Sequence, residues 1–150
     1  MDEDQYRAAY QQINPNRCIF EKAHTNRRCH CEKRRRFVLA TREGIACESK
    51  ESLARCTKFL DILRDSSRFA LKITFVDGPL PHNKELRVQA GGTLALQKLL
   101  YKDKHAEDTV ENINQLLEQA LLEYGSLENI PYQELIKGVL TYKVRRKKRK

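Results

Sequence analysis

Apolar residues recur at helical spacing along most of this chain and alternate strictly in only one place. Tyr6, Ala9, Tyr10 and Ile13 fall at i, i+3, i+4 and i+7, which predicts a helix over 4–13 ended by Pro15. A helical turn fits Phe20 to His24. Phe37-Val38-Leu39-Ala40 opens a second short helix that Gly44 would stop. Ser49 reads as an N-cap, with Glu51 in the first turn. Leu53, Cys56, Phe59, Leu60 and Leu63 then make one apolar face to about residue 65.

From Phe69 the period changes. Phe69, Leu71, Ile73 and Phe75 alternate with Ala70, Lys72, Thr74 and Val76, the pattern of a strand over 69–76. Asp77-Gly78-Pro79 is a turn, and 85–89 reads as a second strand with Leu86 and Val88 inward. A two-stranded hairpin is marginal alone, so helices must cover a face of it. Gly91-Gly92-Thr93 closes that strand and leads to a helix from Leu94 to about Lys102. The two glycines lack the Gly-x-x-x-x-Gly-Lys-Ser/Thr frame of a phosphate loop and read as a turn. Asp108-Thr109-Val110-Glu111 has the form of a capping box ahead of a helix to Tyr124, with Gly125 as its end. Pro131 starts the last helix, whose apolar stripe is Tyr132, Leu135, Ile136, Val139 and Leu140.

These elements predict an α+β fold: a mostly helical single domain over 1–142 with a small antiparallel β-hairpin (about 69–76 and 85–89) packed by helices. A cysteine-bearing helical part (1–66) runs without a Gly, Ser or Pro linker into the hairpin and its helices (67–142). A basic tail, 143–150, follows. No repeat is present, and no apolar run approaches the ~18 residues that cross a bilayer. Met1-Asp2-Glu3-Asp4 is acidic and has no signal-peptide core, so the expected location is the cytoplasm.

Charge sharpens the picture. The net charge is +9, and it is uneven. Arg27, Arg28, Lys33, Arg34, Arg35 and Arg36 form one basic cluster. Lys143, Arg145, Arg146, Lys147, Lys148, Arg149 and Lys150 form another. Such clusters meet polyanions or acidic protein surfaces, whereas the bland reading of a basic tail is a solvated one.

The chemistry lies in the cysteines. All five, Cys18, Cys29, Cys31, Cys47 and Cys56, fall in the first 56 residues, spaced C-x10-C-x-C-x15-C-x8-C. An odd count in a reducing compartment argues against a disulfide framework and for a metal. Cys56, on the apolar face of its helix, also fits an ordinary core residue. Cys29 and Cys31 flank His30 among cations, which predicts depressed thiol pKa values. If Cys47 and Cys56 serve one centre, the 44–48 segment must fold back over the helix that follows.

Zinc sites favour close C-x2-C pairs, and none occurs here; His24 and His30 could add nitrogen ligands. An iron–sulfur cluster takes four thiolates from dispersed segments, and a cube of iron and sulfide is wider than one ion. The expected cofactor is therefore an iron–sulfur cluster, with zinc the alternative. Cys18, Cys29, Cys31 and Cys47 are the expected ligands, and Cys56 is the alternative fourth. The expected role is electron transfer or redox sensing with an acidic protein partner. A zinc-stabilised nucleic-acid-binding protein, using both basic clusters with Phe37, Tyr132 or Tyr142 stacking on bases, is the alternative. An enzyme with a Cys29 or Cys31 nucleophile beside His24 or His30 ranks third, because no orienting carboxylate is placed by spacing.

Overall fold

The computed structural model describes residues 1–73, 80–104 and 107–145, except for the side chain of Lys104. Among the described residues the regular elements are seven α-helices, one β-hairpin and a π-helical turn, with short 3₁₀ turns at Lys102–Lys104 and Leu127–Asn129. The fold class is α+β, as the pattern predicts, but the hairpin sits elsewhere.

Helix α1 (Glu3–Ile13) starts on a reciprocal capping box in which Asp2 accepts from the Gln5 N–H and the Gln5 side chain accepts from the Asp2 N–H. It buries Tyr10. A single turn, α2 (Glu21–Thr25), buries Ala23 and His24. The hairpin follows: β1 (Arg34–Leu39) pairs antiparallel with β2 (Arg42–Cys47), with Leu39 opposite Arg42 and Arg34 opposite Cys47. This corrects the helix expected from Phe37. The two-residue turn is Ala40-Thr41, both left-handed at φ 50° and 71°. Hairpins of this kind usually advertise themselves by Asn-Gly or Asp-Gly, so the sequence carried no turn signal. The pairing is held by packing instead. The Phe37 ring lies 5.6 Å from that of Tyr10 and covers Gly44, where a Cβ would stand 2.3 Å from the ring.

Helix α3 (Lys50–Ser67) is capped by Ser49, whose hydroxyl accepts from the Ser52 N–H at 3.1 Å. It buries Cys56, Phe59, Leu60 and Leu63, the face expected from spacing. The strand expected over 69–76 is a correction. Residues 68–72 are turn, with Lys72 at φ 58°, and Phe69 is 78% exposed; 74–76 lie outside the described residues.

The strand expected over 85–89 is helical. Helix α4 (His82–Leu86), a π-helical turn (Arg87–Gly91) and helix α5 (Gly92–Leu100) run on as one element. What resembled alternation is a helix buried on both sides. Glu85 is buried because it pairs with Arg64 of α3, and Gln89 because it reaches Ile19 and Ala23. The two glycines lie inside this helix and do not close a strand. A Cβ on Gly92 would stand 2.4 Å from Leu63, and one on Gly91 2.8 Å from Tyr142. They are where two neighbours come close.

Helix α6 (Ile113–Tyr124) begins four residues later than the expected box. Asn112, not Asp108, is its cap, and Gly125 at φ 84° ends it as predicted. Helix α7 (Tyr132–Thr141) follows Pro131 and lies across α5 and the π turn. One hydrophobic core joins Phe20, Phe59, Leu63, Leu96, Leu117, Leu135 and Val139, so the cysteine-bearing part and the helices after it share a single interior.

Candidate metal centre

Four chain segments bring the cysteines together. The segment 16–18 runs along the free edge of β2: the Cys18 N–H donates to Ile45 O at 3.0 Å, and the Cys47 N–H to Asn16 O at 2.8 Å. Cys47 ends β2, and this is how the 44–48 segment returns over α3. The Cys29-His30-Cys31 loop is pinned to the chain before α6. Val110 N–H donates to Arg28 O at 3.2 Å, His30 N–H to Val110 O at 2.9 Å and Ile113 N–H to His30 O at 2.9 Å. Cys56 projects from the buried face of α3. Cys18, Cys31 and Cys56 each stand within electrostatic reach of all four other cysteines. Residues 38 positions apart in sequence thus share one site.

That site is apolar. Cys29 is 1% exposed and Cys56 8%, and Cys18 and Cys31 pack against the same core. Burial pushes the thiols of Cys18, Cys29 and Cys31 above the ordinary range and that of Cys56 to about 12. This corrects the depressed values expected from the nearby cations. The cations act, but weakly: Arg34 opposes the rise at Cys29 and Arg55 at Cys56. Burial thus moves these four away from the thiolate form that a cysteine nucleophile uses.

The reason the cations matter so little is that most face elsewhere. Arg27 forms a two-point pair with Glu43 at 3.0 and 3.1 Å, and Arg36 joins the same carboxylate. Arg28 is buried against Tyr142 and the carbonyls of Lys143 and Val144. Arg34 divides its guanidinium between His24 Nδ1 at 3.1 Å, His30 Nδ1 at 3.0 Å and Cys29 O at 3.1 Å. His24 Nε2 is buried without a partner among the described residues. Arg35 stands over the Phe37 ring, and Lys33 is half-buried. Arg145 is exposed; Arg146, Lys147, Lys148, Arg149 and Lys150 lie outside the described residues.

No family model, curated protein or solved structure matches this chain.

Backbone donors also converge on the sulfurs. The backbone N–H of Phe20 lies near Cys18, and those of Lys33 and Asn114 near Cys31, each opposing the rise that burial causes in the thiol pKa. Asn114 lies in the first turn of α6, so Cys31 sits at that helix's positive end. The Asn114 side chain is buried and organises the surroundings. Its Oδ1 accepts from Ser52 Oγ and Arg55 Nη2, both at 2.7 Å, and its Nδ2 donates to Glu32 at 2.6 Å. It thereby ties α3 and the Cys31 loop to α6. Nothing in the sequence marked Asn114; only the folded chain brings it beside Cys31.

Among the described residues, no three Cys, His, Asp or Glu side chains stand close enough to hold a single metal ion. Zinc–sulfur bonds of about 2.3 Å would require such crowding.

Proposed function

We propose that this chain holds an iron–sulfur cluster on its N-terminal cysteines and works in electron transfer or redox sensing with an acidic protein partner. The observation that carries this reading is the convergence of five cysteines, from four segments, on one buried site. The thiols of Cys18, Cys29, Cys31 and Cys56 pack against one core, and a cluster takes its thiolates from dispersed segments. Backbone N–H groups near Cys18 and Cys31 favour negatively charged sulfur, and N–H donors near the sulfurs are a lever on cluster potential. Burial makes protonated thiols the stable form of the empty site, so four thiolates there need a compensating positive charge, which a cluster's iron supplies. When bound, such a cluster supplies an electron-transfer couple set by burial and by those hydrogen bonds. The chain's own contribution is to hold the sulfurs apart at fixed spacing and to keep water away.

The basic tail is the element suited to an acidic partner, because its first residues are held beside the cysteine loop: Arg28, one residue before Cys29, donates to the Lys143 and Val144 carbonyls. The alternative of a zinc-stabilised nucleic-acid binder has less support. Arg27, Arg28, Arg34 and Arg36 already have internal partners, which leaves mainly the tail to meet phosphates.

The test is a visible absorbance spectrum with iron, acid-labile sulfide and zinc analysis on protein purified without oxygen. Broad visible absorbance with matched iron and sulfide is the expected result. A colourless protein with one zinc per chain would replace this reading by the zinc one, and a metal-free protein would leave an inert thiol core.

A further inference from the structure

The hairpin has two outer edges, and the described residues fill only that of β2. There Ile45 O accepts from the Cys18 N–H at 3.0 Å, the Ile45 N–H donates to the Glu21 carboxylate at 2.8 Å, and the Cys47 N–H donates to Asn16 O at 2.8 Å. Ile45 and Cys47 thus turn their backbone groups away from β1. In an antiparallel ladder the residue directly opposite does the same on its own side. Arg36 lies opposite Ile45 and Arg34 opposite Cys47, and Val38, two residues on, shares their orientation. The Arg34 N–H closes a turn onto Cys31 O at 3.3 Å. The N–H and C=O of Arg36 and Val38 have no partner among the described residues, and Val38 is 70% exposed.

We propose that β1 is a docking edge, on which an extended acidic segment of a partner protein adds as a further strand. The proposal rests on the acidic-partner part of the reading above and is independent of the cluster. In strand addition the backbone ladder supplies affinity and the side chains choose the partner. Exposed edges are usually protected by proline, a bulge or charged side chains. β1 has no proline, and its register with β2 is unbroken. Its guanidiniums are engaged within the fold: Arg36 with Glu43, Arg34 with two imidazoles and the Cys29 carbonyl, and Arg35 over the Phe37 ring. The edge is also set in advance, since Phe37 packs on Tyr10 of α1 and the segment 16–18 braces β2. A ready-made edge costs little ordering on this side of the interface.

Charge decides the occupant. Arg27 and Arg36 share one carboxylate, that of Glu43. Among the described residues no carboxylate pairs with Arg34 or Arg35. Glu48, exposed and bonded through its N–H to Lys33 O, is a further acid at this end, so the start of the strand keeps an excess of positive charge. An acidic segment complements it. A second copy of this chain would bring the same cations and a net charge of +9 to the same edge, which opposes pairing.

The experiment uses a fluorescein-labelled peptide of alternating Glu and Val residues, with binding read by anisotropy and amide hydrogen exchange by NMR. Wild type is expected to bind it, and the Arg36 and Val38 amides to exchange at least about tenfold more slowly in the complex. Val38→Pro removes the outward N–H and no bond of the hairpin, at the kind of edge position where proline is tolerated. Folded by circular dichroism, it should bind at least about tenfold more weakly, and Arg35→Glu should also weaken binding. Absence of binding by wild type overturns the proposal. So does binding that leaves both amides unprotected, or that is unchanged in folded Val38→Pro or in Arg35→Glu. Amides already protected before peptide is added overturn it too: a dimer in sedimentation then assigns the edge to a second copy, and a monomer to a segment of this chain. If Val38→Pro does not fold, exchange in wild type decides. Iron and sulfide analysis of the same preparation reads the cluster separately, so each idea fails on its own measurement.

Discussion

Arg28 and Tyr142 are joined in two ways across the chain. The Arg28 guanidinium donates to the phenol oxygen at 2.7 Å and stands 5.4 Å from the centre of the ring. Arg28 also donates to the carbonyls of Lys143 and Val144, so the residue before Cys29 fixes where the basic tail leaves the fold. Arg28→Ala should lower stability by about 1–3 kcal/mol, the range for hydrogen bonds to a charged group. Tyr142→Phe, which removes one acceptor and keeps the ring, should cost less. Urea denaturation of both variants checks the order. Equal losses would mean that the carbonyl bonds contribute nothing.

Helix α7 crosses α5 at a point with no room for a methyl group. A Cβ on Gly138 would stand 2.5 Å from Ala95 Cβ and 2.9 Å from Gly91 O. Helix propensity alone favours Ala over Gly by about 1 kcal/mol. Overpacking costs about 1–3 kcal/mol, and here backbone is among the atoms struck. Gly138→Ala should therefore destabilise the fold, against its propensity. A rise in melting temperature would show that the two helices can move apart freely.

Arg64 and Glu85 form a buried ion pair, 3% and 1% exposed, linked on to Gln89. Gln89 in turn donates to Ile19 O at 3.3 Å and accepts from the Ala23 N–H at 3.0 Å. This chain of contacts runs from α3 to the segment carrying Cys18. Glu85→Ala leaves the buried guanidinium only the exposed Asp61, at 3.4 Å, as counter-charge and should cost up to about 3–5 kcal/mol. Replacing both partners by Leu should recover most of that loss. Denaturant midpoints of the single and double variants decide it; a double variant as weak as Glu85→Ala would assign the loss to packing.

Those same residues explain what could be read from sequence. The helices with one apolar face, α1, α3, α6 and α7, were legible, because one side meets the core and the other water. The segment 82–100 was not. Its polar residues Glu85, Gln89 and Gln97 are buried against partners far away in the chain, which erases the helical contrast and leaves Leu86 and Val88 to mimic a strand. The hairpin was missed for the opposite reason: its turn uses Ala40 and Thr41, which carry no turn signature. At the candidate site, the crowding of all five cysteines into the first 56 residues pointed to their shared place in the fold. Their protonation was not legible, because local sequence shows the arginines beside Cys29 but not that Glu43, Tyr142 and the imidazoles engage them.

His24 should make stability depend on pH. Its ring is fully buried, and its pKa is driven down to about 4, first by burial and then by the charge of Arg34. In the unfolded chain the imidazole titrates near its ordinary value of 6.5. Between those values the unfolded state binds the proton and the folded state does not. Stability is therefore greatest above pH 6.5 and falls as pH drops towards 4, by about 3 kcal/mol in all. The lowered carboxyls of Glu3, Glu32 and Glu128 act mainly below their ordinary value of 4.5, so the upper part of the window isolates the imidazole. Urea denaturation of metal-free protein at steps from pH 7 to 4.5 gives the curve, with His24→Gln as the control. The variant should be flatter across that range. An equally steep variant, or an imidazole titrating near 6.5 by NMR, would mean that His24 charges freely inside the fold.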